Sequence, residues 1–234
     1  MNAKTIIKTL ESFATPERKK INKWFFKTGK GQYSEHDAFM GVRMPQIRQV
    51  AKQCFKSLAF NEINKLINHP IHEVRHCGLI ILVNQYQLDN QDAVFNYYID
   101  NIHAVNNWDL VDTTAPQIVG NHLYQHQEKL PLLFNFLHSP DLWERRIAIV
   151  ATWTFIKRGE FTPTLKISKL LLGDKHDLIH KAIGWMLREI YKKDADICKT
   201  FLRKNYPQLP RTTLRYAIER MPKSERLHYL KKEF

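Results

Sequence analysis

Two residues in the run Asn107-Trp108-Asp109-Leu110-Val111-Asp112 have the types and spacing for chemistry on a positively charged centre. Trp108 and Asp112 stand four apart, so a helix carries the indole and the carboxylate on one face. A carboxylate stabilises a developing cation through its charge, and an indole face attracts it through its quadrupole. The surrounding chain has 36 Lys and Arg against 23 Asp and Glu, a formal charge of +13, with an isoelectric point near 9.6. That surplus selects a polyanionic partner, nucleic acid first. A cationic reaction centre held on a polyanion fits both observations. Two plainer readings stand beside this one. Asp112 precedes Thr113-Thr114-Ala115-Pro116, where an Asp ahead of a Pro-containing first turn serves as a helix N-cap, and Trp108 fits equally well as a core aromatic.

The elements that must position these residues read as helices throughout. Glycine occurs only eight times, and apolar residues recur near a 3.6 period at Ile63, Leu66 and Ile67, at Val74, Cys77, Gly78 and Ile81, and at Leu165, Ile167, Leu170 and Leu171. Prolines fall evenly, at 45, 70, 116, 131, 140, 163, 207, 210 and 222, with no single linker. A small residue recurs within similar segments, at Gly78, Ala115, Ala148, Ala182 and Ala217, at intervals of 33 to 37 residues. Two helices and short turns fill such an interval, and the small residue lets neighbouring helices approach. The expected architecture is all-α, an α-solenoid of HEAT-like helical repeats with a concave basic groove, forming one domain over residues 1–234. Basic residues precede the small ones at Arg75, Arg145-Arg146, Lys181 and Arg215. They form a positive stripe along the concave row or pair with carboxylates between repeats.

Other function classes lack their residues. Cys54, Cys77 and Cys198 are far apart inside apolar patterns, which predicts reduced core thiols and no disulfide framework. The first ten residues lack the apolar core and cleavage site of a signal peptide, and no run approaches a membrane span, so a cytoplasmic, nucleoid-associated monomer is expected. There is no glycine-rich phosphate loop and no HExxH. His69, His72 and His76 have promising spacing, but no neighbouring carboxylate or cysteine completes a site. His122 with His126 and His176 with His180 read as polar helix faces, so no metal is expected.

The segments GVRMPQIRQVAK (41–52), NNWDLVD (106–112), LWERRIAIV (142–150) and KAIGWMLRE (181–189) together resemble the AlkD-like DNA alkylation repair family, HEAT-like-repeat DNA glycosylases, over nearly the whole chain. The resemblance implies a monofunctional enzyme, with no metal or organic cofactor, that binds double-stranded DNA and excises 3- and 7-alkylpurines by hydrolysing the N-glycosidic bond. It implies Asp112 as the catalytic carboxylate, Trp108 and Trp185 as aromatics facing the cation, and Arg146 as a phosphate clamp beside the lesion. Arg43, Arg75, Lys181, Arg188 and Arg211 are further expected contacts to the DNA backbone. Trp24 matches an additional cleft aromatic only loosely. Asp109 is read as a cap or the partner of a nearby cation, Trp143 as structural, and Arg145 as pairing with Glu144 or facing solvent. The alternative function is a catalytically silent helical-repeat module that binds nucleic acid or protein.

Overall fold

The protein, seen in a computed structural model that describes residues 1–88 and 91–233, is helical wherever its apolar period predicts helices. Among the described residues there is no β-strand, only an isolated bridge between Ala38 and Ile71. Two compact units divide the chain, Met1–Thr114 and the part from Ala115 onward.

The first unit holds α1 (Ala3–Glu11), α2 (Pro16–Phe25), α3 (Met44–Cys54), α4 (Phe60–Ile67), α5 (His72–Tyr86), α6 (Gln91–Asp100) and α7 (Trp108–Thr114). Side-chain oxygens of Asn2 and Thr15 cap α1 and α2 by accepting from backbone amides three residues on. Helix α5 is buried along nearly its whole length because α3, α4, α6 and α7 all pack on it. Its Val74, Cys77 and Ile81 meet a core that also holds Ile63, Leu66 and Ile67 of α4, each at most 1% exposed. Burying one such side chain contributes about 1.5–3 kcal/mol.

The second unit begins with a π-helical turn, Ala115–Gly120, and continues through α8 (Asn121–Gln125), α9 (Pro131–Leu137), α10 (Leu142–Val150), α11 (Trp153–Lys157), α12 (Thr162–Leu171), α13 (Asp177–Lys193), α14 (Ala195–Asn205), α15 (Arg211–Ala217) and α16 (Lys223–Lys231). Here α13 is central, packed by α10, α12, α14 and α15 through Ile179, Ile183, Met186, Leu187 and Ile190.

The recurring small residues are all buried, and at Gly78 two helices close on one another. A Cβ at Gly78 would lie 2.8 Å from Leu66 Cβ and 2.9 Å from Ile67 Cγ2, so α4 and α5 approach only over a glycine. Ala115, Ala148, Ala182 and Ala217 are fully buried. The prolines punctuate as expected: Pro45, Pro131 and Pro163 occupy first turns, where their missing N–H costs nothing, and Pro210 and Pro222 are N-caps. Of the last apolar set, Ile167 and Leu171 are core while Leu170 is 57% exposed. The three cysteines are free and buried.

One buried acid fixes the approach to α3. Glu73, on α5, accepts the backbone amides of Met40 (3.0 Å), Gly41 (2.8 Å) and Val42 (3.3 Å) and the side-chain amide of Asn22 (2.9 Å). Gly41 has φ +96°, and a Cβ there would meet the Thr15 carbonyl at 2.3 Å, so only glycine completes this cradle.

Candidate functional site

Helix α7 carries both residues with which the sequence reading began, and its first turn is braced from three directions. Asn107 is fully buried; its Nδ2 donates to Ser34 Oγ (2.6 Å) and Asp37 Oδ2 (2.7 Å), and its Oδ1 accepts from the Trp108 amide (2.8 Å). Trp108, half-buried, donates its indole N–H to the Tyr33 hydroxyl and stacks on Phe26, with centroids 5.5 Å apart and planes at 23°. Phe25 meets the same indole edge-on at 5.8 Å. Stacked and edge pairs of this kind add about 0.5–1.5 kcal/mol each, so the ring is held in one orientation. Asp112 lies one turn further on, half-buried and inside α7, so it is not an N-cap. Pro116, which suggested a first turn there, belongs to the π-helical turn that follows, where its carbonyl accepts from Thr154 Oγ1 at 2.6 Å.

Asp109 is the partner of cations, as the sequence suggested, but the cations come from α5. His72 Nε2 reaches its Oδ2 at 2.8 Å and His76 Nδ1 reaches the same oxygen at 3.2 Å. His76 Nε2 lies 2.9 Å from Thr113 Oγ1, and His72 Nδ1 lies 3.7 Å from Asp37 Oδ2. Burial disfavours the charge on Asp109, yet the charges of His72 and His76 and their hydrogen bonds outweigh it and hold the carboxyl well below its ordinary range. Burial likewise opposes charge on His72, and the Asp109 carboxylate prevails, raising the imidazole to about 9. Asp37 is lowered to about 2, because hydrogen bonding to His72 and the Arg75 guanidinium overcome its burial.

This network also engages Arg75, one of the expected DNA contacts. Arg75 is 5% exposed; its Nη2 is ion-paired with Asp37 and its Nη1 donates to the His69 and Pro70 carbonyls at 3.1 Å, so both terminal nitrogens are engaged inside the first unit. Arg145 behaves in the same way, and its carboxylate is Asp174 (2.7 Å) rather than Glu144. For these two, pairing with carboxylates replaces the positive stripe.

The remaining expected residues divide by exposure. Arg146 is 5% exposed and donates to the Leu178 carbonyl at 2.6 Å. Trp185 is half-buried on α13, with Trp153 at 5.8 Å and the Lys157 ammonium 3.9 Å from the Trp153 ring. Lys181 holds Asp177 on its own helix (2.9 Å), and Arg188 is bonded to Glu219 with Glu189 at 3.7 Å. Arg43 and Arg211 are exposed at the starts of α3 and α15.

Trp24, which the resemblance matched only loosely, begins a stretch that the structure brings to Trp108 through Phe25, Phe26 and Tyr33. Trp24 is 82% exposed and lines a hollow of about 500 Å³ with Lys23, Phe25, Lys27, Thr28, Gly29 and Gln32. The glycine-containing segment closes on itself, through Gly29 N–H to Gln32 Oε1 (2.9 Å) and Gly31 N–H to Glu35 Oε2 (2.7 Å), and delivers Tyr33 to the indole. No periodicity marks this segment, so only the glycines and aromatics signalled it.

The sequence model of a family described as "DNA alkylation repair enzyme" matches residues 6–221. No curated protein matches the chain. Among solved structures, the fold is similar to a predicted DNA alkylation repair enzyme from Enterococcus faecalis, with TM-score 0.71 and 18% identity over 90% of this chain and 97% of that one. It is similar as well to AlkD2 from Streptococcus mutans, with TM-score 0.57 and 20% identity over 76% and 90% of the two chains. A third likeness is to smu.31 from Streptococcus mutans UA159, with TM-score 0.54 and 16% identity over 94% and 99%. Among the described residues no helix is long and apolar enough to cross a membrane.

Proposed function

The chain belongs to the DNA alkylation repair enzyme family, and from that premise we propose that it releases positively charged 3- and 7-alkylpurines from duplex DNA by hydrolysing the N-glycosidic bond, leaving an abasic site. The observation that carries this reading is the placement of Trp108 and Asp112 one turn apart on α7, both partly exposed, with the indole fixed by Phe26 and Tyr33.

An alkylated purine already bears a positive charge and leaves readily, so the demand on the protein is to stabilise the oxocarbenium-like sugar and admit water. At about 4 Å and an effective dielectric near 20, a carboxylate stabilises a unit positive charge by roughly 4 kcal/mol. Confined to the transition state, that is on the order of a thousandfold in rate. Asp112 takes this part and orients or deprotonates the attacking water. Trp108 presents its face to the cation, an attraction of about 0.5–2 kcal/mol. Its orientation is set before substrate arrives, so no side-chain entropy is lost on binding. By family motif, Trp185 is assigned a second aromatic contact, and Arg146, 5% exposed with Nη1 on the Leu178 carbonyl, is assigned a phosphate. Arg43 and Arg211 are exposed cations for phosphates.

One observation favours the alternative of a catalytically silent nucleic-acid module: Trp108 is also an integral part of the Phe25–Phe26–Phe39 aromatic packing. Base release from duplex DNA containing 7-methylguanine separates the two. Wild type is expected to release the base and Asp112→Asn to lose about a thousandfold in rate while still binding DNA. No release by wild type, or equal release by Asp112→Asn, rejects the enzymatic reading.

A further inference from the structure

The geometry points to a transition-metal site of the Zn²⁺ class in the first unit, built by His72, His76 and Asp109. This inference is independent of the base-release reading. His72 and His76 are four apart on α5 and present imidazoles to one side, and Asp109 comes across from α7. One donor atom from each of the three lies within 4.8 Å of the other two.

Distances and surroundings both suit an ion. Asp109 Oδ2 stands 2.8 Å from His72 Nε2 and 3.2 Å from His76 Nδ1. Bonds of about 2.1 Å place neighbouring donors roughly 3.0 Å apart in octahedral and 3.4 Å apart in tetrahedral coordination, a range that the two separations from Asp109 lie in or close to. Each imidazole also turns its other nitrogen to outer polar groups, with the Arg75 guanidinium 3.5 Å from His72 Nδ1. Thr113 Oγ1 lies 2.9 Å from His76 Nε2, and the Asp37 carboxylate flanks His72 Nδ1 at 3.7 Å. Such outer partners fix ring orientation in metal-ligating histidines. Once His72 gives up its proton, Asp37 and Asp109 against Arg75 leave one net negative charge to face a divalent cation. The ion takes the place of the proton on His72 Nε2, which goes to solvent, while His76 coordinates through Nδ1 as the neutral tautomer whose Nε2–H donates to Thr113 Oγ1. Two imidazoles and one carboxylate select Zn²⁺, Co²⁺ or Ni²⁺ over Mg²⁺ and Ca²⁺, which prefer oxygen donors. Bound there, the ion ties α5 to α7.

The test uses the full chain without a histidine tag. Titration with Co²⁺, followed by its visible absorption, and with Zn²⁺, followed by calorimetry, is expected to give one ion per chain at these residues. His76→Ala and Asp109→Asn, with folding checked by circular dichroism, are expected to weaken binding at least about a hundredfold, and Asp37→Asn, which touches no ion, by about 10–100-fold. His126→Gln is expected to leave it unchanged. X-ray absorption of the Zn²⁺-loaded wild type requires no variant to fold, and two imidazoles in the first shell are expected. A wild type that binds no ion, variants that bind as tightly as wild type, or a shell without imidazole each overturn the site. None of these readouts involves base release.

Discussion

The Tyr33 hydroxyl accepts the indole N–H of Trp108 at 3.2 Å, tying a loop residue to the first turn of α7 across 75 positions of sequence. A buried or half-buried donor left without its acceptor loses roughly 1–3 kcal/mol. Tyr33→Phe is therefore expected to lower stability by about 1 kcal/mol and to slow base release more than it weakens DNA binding, because the indole loses its fixed azimuth. Urea denaturation and single-turnover kinetics check both parts; an unchanged rate would detach Tyr33 from the chemistry.

Glu73 gathers four N–H donors around a carboxylate that is 2% exposed. Glu73→Gln replaces an acceptor with an amide whose own donors face other donors. The expected cost is about 3 kcal/mol. Hydrogen exchange at Met40, Gly41 and Val42 should accelerate beyond the global change, which isolates the loop from general unfolding.

The exposed and the committed arginines are expected to respond differently to salt. If about five to eight phosphates are neutralised, log affinity falls against log salt with a slope of about −4.5 to −7. Arg43→Ala or Arg211→Ala should each make that slope shallower by about one. Arg75→Ala should leave the slope alone and instead destabilise the first unit by about 3–5 kcal/mol, since Asp37 loses its guanidinium while buried. Binding titrations at several ionic strengths, with thermal melts of the same samples, distinguish the two patterns.

Gly78→Ala pushes a methyl against Leu66 and Ile67, and the Ile67 amide also lies 3.2 Å from the added carbon. Overpacking at such a contact costs typically about 1–3 kcal/mol. The melting temperature should drop although alanine is the better helix former, the reverse of the outcome on an open helix surface.

Much of this was legible in the chain itself, for identifiable reasons. The helical class follows from the 3.6 period, and the burial of Gly78 and the four alanines follows from their place on apolar helix faces. Trp108 and Asp112 share α7 for the same reason. What escaped is long-range. Asp109 announced that it wanted a cation, yet nothing in its neighbourhood named His72 and His76, whose approach is set by α5 packing on α7. Arg75 looked like a surface cation because charge alone does not reveal Asp37 waiting on a loop. Asp112 resembled a cap only because Pro116 normally opens a helix, whereas here a π-helical turn absorbs it. Tyr33 lies in a segment with no period to read.

The three cysteines have one more implication. Burial raises the pKa of each thiol above its usual value, and none touches solvent to any useful extent. Electrophiles that methylate or ethylate cellular targets react with thiolates far faster than with thiols. A protein of this family meets such reagents whenever its work is needed, and its sulfur atoms offer them almost no anionic form and no path of attack. Endurance under chemical assault is thus a by-product of where the core was placed, and iodoacetamide should label the chain only after denaturant opens it.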